Sequence, residues 1–179
     1  MTIYTPAFYM MQANAANTYT RQKMTFGASN DPSKITGPIS FVKNIGVGVV
    51  NQISRNEADV EIDKLKVGDY NVRKRMEIWA AKAEKYGAGN CGEQSAIAFM
   101  YLRRHNVEPL TWTRWSVGNH AFILLGKPRN GTAMNVKDWI DQVVVCDPYK
   151  NLVGFLKQLP SYPVNNMTFM LHSEDGIII

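Results

Sequence analysis

Hydrophobic and polar positions divide the chain into a helical first half and a strand-rich second half. From Asp69 onward, apolar residues recur every three or four positions with charged residues between them, which predicts an amphipathic helix. Its apolar stripe consists of Val72, Met76, Trp79, Ala80 and Ala83. Gly87 is a suitable residue to end this helix. A second helical run begins at Cys91, is apolar nearly all round and ends near residues 104–106, which predicts a buried central helix.

Beyond residue 106 the pattern loses its helical spacing. Runs rich in β-branched, aromatic or aliphatic residues predict four strands, over residues 110–117, 120–125, 142–146 and 167–171. Residues 127–141 are predicted to form a polar loop with a short turn at 136–140, and residues 149–159 a helix. A helical half followed by a strand-rich half indicates an α+β fold.

The first third of the chain has a weaker pattern. Residues 1–36 show no sustained period, and we predict an irregular N-terminal extension with a short helix over residues 8–19. From Pro38 to Ile53 the apolar residues roughly follow helical spacing in spite of Gly46 and Gly48, which predicts a helix packed on the core. Residues 37–179 are accordingly predicted to form a single globular domain.

Composition and charge argue against several classes of function. The 179 residues are 45% hydrophobic and 20% charged, as in ordinary globular proteins. The net charge of +5 is spread along the chain, so no nucleic-acid partner is expected. No stretch approaches the roughly 20 apolar residues of a membrane span. The start of the chain lacks the features of a classical secretory signal, so the protein is expected to be cytoplasmic in the producing cell.

Cysteine and histidine usage indicates free thiols and no metal. Cys91 and Cys146 permit one disulfide at most, and in a reducing compartment both are expected to stay reduced. No cysteine or histidine pair has the close spacing of structural zinc ligands, so no metal site and no cofactor are predicted.

One stretch, residues 87–100, has a pattern that core packing alone does not explain. Asn90 is a good N-cap residue, and Glu93 stands three residues later, where a capping-box carboxylate reaches back to the Asn90 amide. Cys91 is then the first helical residue, where unpaired amides and the helix dipole favour a thiolate. Cys91 is therefore a candidate nucleophile, whereas Cys146 lies inside an apolar strand and is predicted to be inert core.

A nucleophilic cysteine requires an imidazole to handle its proton and a third group to orient that imidazole. His120 opens a predicted apolar strand, so its ring is expected at the strand end facing a cleft. Asp147 ends the neighbouring β-branched strand. Asp138 and Asp141 are alternatives, but they lie in a polar loop where a carboxylate needs no special reason, so Asp147 is preferred.

Three short motifs occur in an order that resembles the papain-like and transglutaminase-like cysteine enzyme superfamily. They are Gly-Asn-Cys-Gly at residues 89–92, Asn-His-Ala-Phe at residues 119–122 and Val-Cys-Asp-Pro-Tyr at residues 145–149. The resemblance is strongest to bacterial effector and toxin domains that deamidate glutamine or cleave peptide bonds in other proteins. It covers about residues 69–149, and the first 65 residues match nothing in that superfamily.

The resemblance implies a papain-like or transglutaminase-like fold, with the helix that carries the nucleophilic cysteine packed on an antiparallel sheet. It also implies that Cys91 is the nucleophile, His120 the general base and acid, and Asp147 the orienting residue. The Cys91 amide would donate to the oxyanion. Papain has a glutamine shortly before its cysteine, where this chain has Lys85 and Tyr86, so the second oxyanion donor stays open. Candidates for oxyanion and substrate contacts are Asn90, Gly92, Asn119 and Trp115.

The function implied is that of a cysteine-dependent hydrolase acting on protein carboxamide or peptide bonds. We favour a bacterial effector or toxin that deamidates glutamine in one protein substrate. A cysteine protease or a transglutaminase of the same fold is an alternative, as is an interaction module without catalysis. An immunity protein or a secretion chaperone is a further candidate partner, and a dedicated secretion system is the candidate route into a target cell.

Overall fold

The computed structural model describes residues 4–28, 38–65, 72–115 and 119–172, and for residues 38–44 and 172 it describes the backbone only. In this part of the chain four α-helices precede five β-strands. The helices are α1 (Pro6–Lys23), α2 (Pro38–Asp63), α3 (Val72–Tyr86) and α4 (Cys91–Arg104). The strands are β1 (Leu110–Trp115), β2 (Ala121–Leu125), β3 (Val144–Asp147), β4 (Leu152–Phe155) and β5 (Met167–His172). The predicted α+β class is confirmed at this level.

The strands form one antiparallel sheet in the order β4-β3-β2-β1-β5. Strand β2 therefore lies at the centre, between β1 and β3, and all five of its residues are buried. Because β2 begins directly after residue 120 and β3 ends at Asp147, antiparallel pairing brings these two positions to the same end of the two neighbouring strands. The topology thus sets a histidine beside a carboxylate from a distant segment.

Both faces of the sheet are covered. Ile123 and Leu125 point to the core shared with α1, α3 and α4, whereas Phe122 and Leu124 point to a second cluster formed with short 3₁₀ segments and loops. This two-sided burial explains why β2 is a continuous apolar run. Fully burying a large apolar side chain stabilises the fold by roughly 1.5–3 kcal/mol, so the central strand is firmly anchored.

The short helix predicted over residues 8–19 of the N-terminal extension is present, and it is longer than predicted, since it runs from residue 6 to residue 23. Helix α1 is 18 residues long, begins with Pro6 and is capped by Thr5, whose hydroxyl accepts a hydrogen bond from the Phe8 amide. Tyr9, Ala13 and Ala16 are buried in the main core, where α1 packs on α4 and β3. Small residues weakened the hydrophobic pattern yet allow the close packing observed. The proposed boundary between residues 36 and 37 lies outside the described residues and stays a prediction.

Helix α2 confirms the predicted helical spacing but not the predicted packing of its whole apolar series. It continues through Gly46 and Gly48 and buries a mixed face that contains Val47, Asn51 and Ser54. Three members of the predicted apolar series, Ile45, Val49 and Ile53, are 45% or more exposed. The exposed fraction contradicts a core role for these three side chains.

The predicted helix over residues 149–159 is also wrong. Lys150 and Asn151 belong to a turn that reverses the chain after Asp147, and Asn151 adopts a left-handed backbone with φ 53°. Residues Leu152–Phe155 then pair with β3 as strand β4, followed by a 3₁₀ turn at Leu156–Gln158. Pairing with a neighbouring strand has overridden the local helical pattern.

The remaining elements agree with the sequence-based predictions to within a few residues. Gly87 follows α3 with a left-handed φ of 65°, and α4 ends at Arg104. The turn predicted at residues 136–140 is present as two 3₁₀ segments, Val136–Asp138 and Ile140–Gln142. None of the helices in the described ranges combines the length and apolarity needed to cross a membrane.

Candidate active site

The loop that leads into Cys91 is held by the segment that follows α1. The Phe26 amide donates to the Gly87 carbonyl at 2.8 Å, and the Gly89 amide donates to the Gly27 carbonyl at 3.2 Å. A Cβ at Gly87 would lie 2.2 Å from the Thr25 hydroxyl oxygen, in a left-handed conformation that favours glycine. The glycines before Cys91 therefore permit a close backbone contact with the N-terminal part of the chain.

The start of α4 has the geometry that the sequence predicts. Asn90 is extended, and its amide donates to Glu93 Oε2 at 2.9 Å, which makes Cys91 the first helical residue. Glu93 is itself held by Arg55 of α2, with Nε 2.6 Å from Oε1 and Nη2 3.1 Å from Oε2. Because Glu93 is only 6% exposed, this bidentate pair is a substantial link between α2 and the helix that carries the cysteine.

Cys91 is half-buried and faces the residues that precede β2. Its Sγ lies 3.5 Å from the Asn119 carbonyl oxygen, to which a thiol can donate. Burial raises the pKa of the Cys91 thiol, but hydrogen bonds from the His120 side chain and the Ala121 amide favour the thiolate more strongly. The net effect is a pKa below the ordinary value. The thiol thus has the environment of a nucleophile rather than that of a packed core cysteine.

His120 is 7% exposed and is fixed by aromatic neighbours on several sides. Its ring centroid lies 5.4 Å from that of Trp115, 6.0 Å from that of Phe122 and 5.6 Å from that of Tyr149. The ring Nε2 lies 2.5 Å from Asp147 Oδ2. Since Nε2 faces Asp147, Nδ1 is the nitrogen that is left to bond Cys91.

Asp147 is fully buried, and both of its oxygens accept hydrogen bonds. Oδ2 accepts from His120 and from the Tyr162 hydroxyl, each at 2.5 Å, while Oδ1 accepts from the Lys150 amide at 3.1 Å. A buried carboxylate is stable only when it is satisfied in this way. Of the two alternatives, Asp138 is exposed and Asp141 pairs with Lys157 at the surface, so neither takes this position.

The lowered pKa of Cys91 and the raised pKa of His120 favour a thiolate–imidazolium pair. Burial lowers the pKa of His120. The hydrogen bonds with Asp147 and Cys91, and the charges of these two groups, outweigh burial and raise the pKa to about 9. Burial raises the pKa of Tyr162 far above its usual range, so its hydroxyl remains a donor to Asp147. Cys146 is free and fully buried, and burial raises its pKa as well, in accord with its predicted place in the core.

A cavity of about 560 Å³ opens directly beside Cys91. Of the predicted oxyanion and substrate-contact residues, Asn90, Gly92 and Asn119 line it, but Trp115 does not. Trp115 instead packs on His120 and Tyr162 from the other face of the sheet. The cavity wall is completed by α2, α3 and the sheet, through Arg55, Asp59, Val72, Arg75, Met76, Trp79, Glu93, Trp112, Arg114, Ala121 and Met170.

Two residues at the site have no local signal in the sequence. Tyr162 reaches Asp147 from a loop after β4, and Arg55 reaches Glu93 from a helix that precedes it by 38 residues. An isolated tyrosine next to prolines and an arginine on a helix face are both common in surface segments. Only the folded arrangement places them against buried carboxylates.

A scan against models of known protein families finds no match, and no curated protein shows significant sequence similarity to the chain. Inferences about activity therefore rest on the geometry of the site.

Proposed function

We propose that the protein is a cysteine-dependent hydrolase that acts on carboxamide or peptide bonds of a protein substrate through Cys91, His120 and Asp147. The observation that carries the proposal is the convergence of three groups: His120 Nε2 lies 2.5 Å from Asp147 Oδ2, His120 lowers the pKa of Cys91, and Cys91 lines a cavity of about 560 Å³. Cavities of several hundred cubic ångströms are the usual size of ligand sites. A papain-like or transglutaminase-like architecture is part of this proposal.

In the proposed reaction the Cys91 thiolate attacks the carbonyl carbon of a substrate amide. The oxyanion that forms is stabilised by amides at the start of α4, where the first N–H groups of a helix have no partner within the helix. The His120 imidazolium gives its proton to the departing ammonia or amine, which leaves a thioester on Cys91. Neutral His120 then takes a proton from water, the hydroxide attacks the thioester, and the thiol is released as the carboxylic acid forms.

Asp147 acts as a positioning residue in this scheme. Its buried carboxylate fixes the tautomer of His120 by accepting from Nε2, which leaves Nδ1 as the nitrogen available to the sulfur. Its charge also keeps the imidazolium protonated until the leaving group needs the proton.

Among reactions that share the thioester, we favour deamidation of a glutamine side chain, as expected for a bacterial effector or toxin. A cysteine protease releases a peptide amine in the first step, and a transglutaminase replaces water by an amine in the second. An immunity protein or secretion chaperone as partner, and export by a dedicated system, belong to the same proposal.

The test combines thiol labelling with mass spectrometry. We expect Cys91 to react with iodoacetamide well below about pH 8, since its pKa is lowered, whereas an ordinary thiol needs a pH near 8.5 or above. Incubation with glutamine-containing proteins should produce a mass gain of about 1 Da per deamidated glutamine. Cleaved chains would instead indicate proteolysis, and incorporation of added methylamine would indicate transglutamination.

Controls follow from the two cysteines. Cys91→Ala and His120→Ala should abolish product formation. Cys146→Ala should change neither the labelling by iodoacetamide below about pH 8 nor the activity, because Cys146 is fully buried. If Cys91 labels only as an ordinary thiol and both site variants keep the biological effect of the wild type, the protein acts as an interaction module and the proposed activity is wrong.

A further inference from the structure

The cavity beside Cys91 carries an excess of positive side chains. Arg55 of α2, Arg75 of α3 and Arg114 of β1 line it, against the two carboxylates Asp59 and Glu93. These arginines come from three separate elements, so their convergence is a property of the tertiary fold. Positive charge is therefore concentrated on the wall next to the sulfur.

The negative charge of Glu93 does not neutralise the positive charge that Arg75 and Arg114 present to a ligand, because Glu93 is paired with Arg55. Arg55 donates to both of its oxygens, and the Asn90 amide donates to Oε2 as well, so Glu93 and Arg55 largely neutralise each other within the wall. The remaining charged groups of the lining are two cations, Arg75 and Arg114, and one carboxylate, Asp59. The surface presented to a substrate is thus net positive.

Arg114 is the best placed of these cations to meet a ligand. It is exposed near the end of β1, and within the described part of the chain no carboxylate or other acceptor engages its guanidinium. It lies two residues from Trp112 and therefore on the same face of the sheet, toward the cavity. A guanidinium is planar and carries five donors, a geometry that matches a carboxylate.

Apolar side chains form the rest of the wall. Met76 and Trp79 of α3 and Trp112 and Met170 of the sheet line the same cavity, and the Arg75 guanidinium stacks over the Trp79 ring at 4.5 Å. This combination suits a segment that presents an aliphatic stem and an anionic end.

We infer that the cavity recognises an acidic peptide segment, in which a Glu or Asp side chain beside the attacked amide bonds Arg114, with Arg75 adding positive charge. The inference rests on the proposed function for the identity of the reacting group, but recognition of the anion itself does not require turnover. The net charge of +5 of the whole chain also favours encounter with acidic proteins.

The anion preference is measured through the reactivity of Cys91 with two alkylating reagents. Iodoacetate carries a carboxylate and iodoacetamide is its neutral counterpart, so the ratio of their rates, referred to the same ratio for glutathione, reports attraction of an anion to the cavity. We expect Arg114→Gln to lower this ratio about threefold, and Arg114→Lys to restore most of it, as for a partly exposed ion pair. Raising the salt concentration should lower the wild-type ratio.

Arg21→Gln is the matched control, because Arg21 is an exposed arginine on α1 and its replacement changes the net charge equally. If Arg114→Gln leaves the ratio unchanged, or lowers it no more than Arg21→Gln, the inference is overturned whether or not the protein hydrolyses amides. Conversely, an Arg114-dependent ratio without any amide turnover would refute the proposed function and retain the anion site.

A second measurement addresses the peptide directly. Capped tripeptides Glu-Gln-Glu and Lys-Gln-Lys are compared for binding to the Cys91→Ala variant by the fluorescence of the cavity tryptophans. We expect at least a fivefold preference for the acidic peptide, reduced by Arg114→Gln. Equal binding of the two peptides would contradict recognition of an acidic segment.

Discussion

At the scale of single residues, Asp147 is the group on which the site depends. Its carboxylate is fully buried and holds His120, while the hydroxyl of Tyr162 donates to the same oxygen. The two donors share one negative charge, so removing either one should shift the proton affinity of the other. Replacing Asp147 by Asn removes the charge itself and should lower the pKa of His120 from about 9 toward its ordinary value.

Tyr162→Phe should act in the opposite direction. Loss of the hydroxyl leaves Oδ2 with one donor, so the carboxylate interacts more strongly with the imidazolium and the pKa of His120 rises. We expect the alkaline limb of the pH profile of Cys91 alkylation by iodoacetate, an anion that the imidazolium attracts, to move upward in Tyr162→Phe and downward in Asp147→Asn. The lost hydrogen bond should also reduce the free energy of unfolding by about 1.5 kcal/mol, measured by urea denaturation.

A purely structural tyrosine would give a different result. If Tyr162→Phe lowers stability but leaves the pH profile unchanged, the hydroxyl packs against Asp147 without influencing His120. His120→Ala provides the reference in which no imidazole titrates beside Cys91.

At the scale of elements, the ion pair of Arg55 with Glu93 links α2 to the start of the cysteine helix α4. The Arg55 side chain is 41% exposed and the Glu93 side chain only 7%, so removing the arginine leaves a nearly buried carboxylate without its ion-pair partner. Helix α2 otherwise packs chiefly on α3, through the small cluster of Ala58, Ile62 and Ile78. The pair therefore connects α2 to the capping box formed by Asn90 and Glu93.

Arg55→Ala should destabilise the protein by about 1 to 2 kcal/mol, because Glu93 loses two charge-assisted hydrogen bonds and, among the described residues, keeps the bond from the Asn90 amide. Urea denaturation measures the change. The matched control is Lys157→Ala, which breaks an ion pair of 2.7 Å with Asp141 in which both side chains are about 60% exposed, and it should cost less than about 0.5 kcal/mol. Equal effects of the two substitutions would show that burial of Glu93 contributes nothing.

Elements with strong local signals could be predicted from the sequence, and those determined by distant partners could not. The start of α4 is encoded by adjacent residues, since Asn90 and Glu93 satisfy each other, and the prediction there is confirmed. Residues 152–155 form a strand only because β3 lies alongside, so a helical reading of the local pattern failed. The exposed Ile45, Val49 and Ile53 show the same limit, because apolar spacing indicates a helix without fixing which face is covered.

The candidate site follows the same division. Cys91, His120 and Asp147 each stand at or next to the end of a regular element, and this position is the local signal that makes them candidates in the sequence. Tyr162 and Arg55 act through contacts across 15 and 38 residues of chain, and no spacing rule points to them. Trp115 was predicted to contact substrate, but its face of the sheet turns it toward His120 and leaves Trp112 at the cavity.

At the scale of the whole molecule, the N-terminal helix and the candidate site form one packed unit. Helix α1 covers α4 and β3, and the residues that follow it bond the loop between α3 and α4. Gly87 has a left-handed φ of 65°, and a Cβ added there would lie 2.2 Å from the Thr25 hydroxyl oxygen.

Gly87→Ala should reduce the free energy of unfolding by at least about 1 kcal/mol, from the left-handed backbone and the contact with Thr25. Gly48→Ala is the opposite case: its added methyl meets open space on α2, and it should stabilise the protein by roughly 0.5–1 kcal/mol. Urea denaturation of both variants checks the contrast in sign. A Thr25→Ala background should recover only part of the Gly87→Ala loss, and complete recovery would contradict a backbone contribution.

The pairing of residues 26–27 with residues 87–89 has a practical consequence for anyone who shortens the protein. A fragment trimmed to residues 69–149 would lack α1, so it would expose the apolar face of α4 and release the loop before Cys91 from its backbone bonds to residues 26 and 27. Reagents for inhibitor screening should therefore retain everything from Thr5 onward, and affinity tags belong where they do not disturb the Thr5 cap.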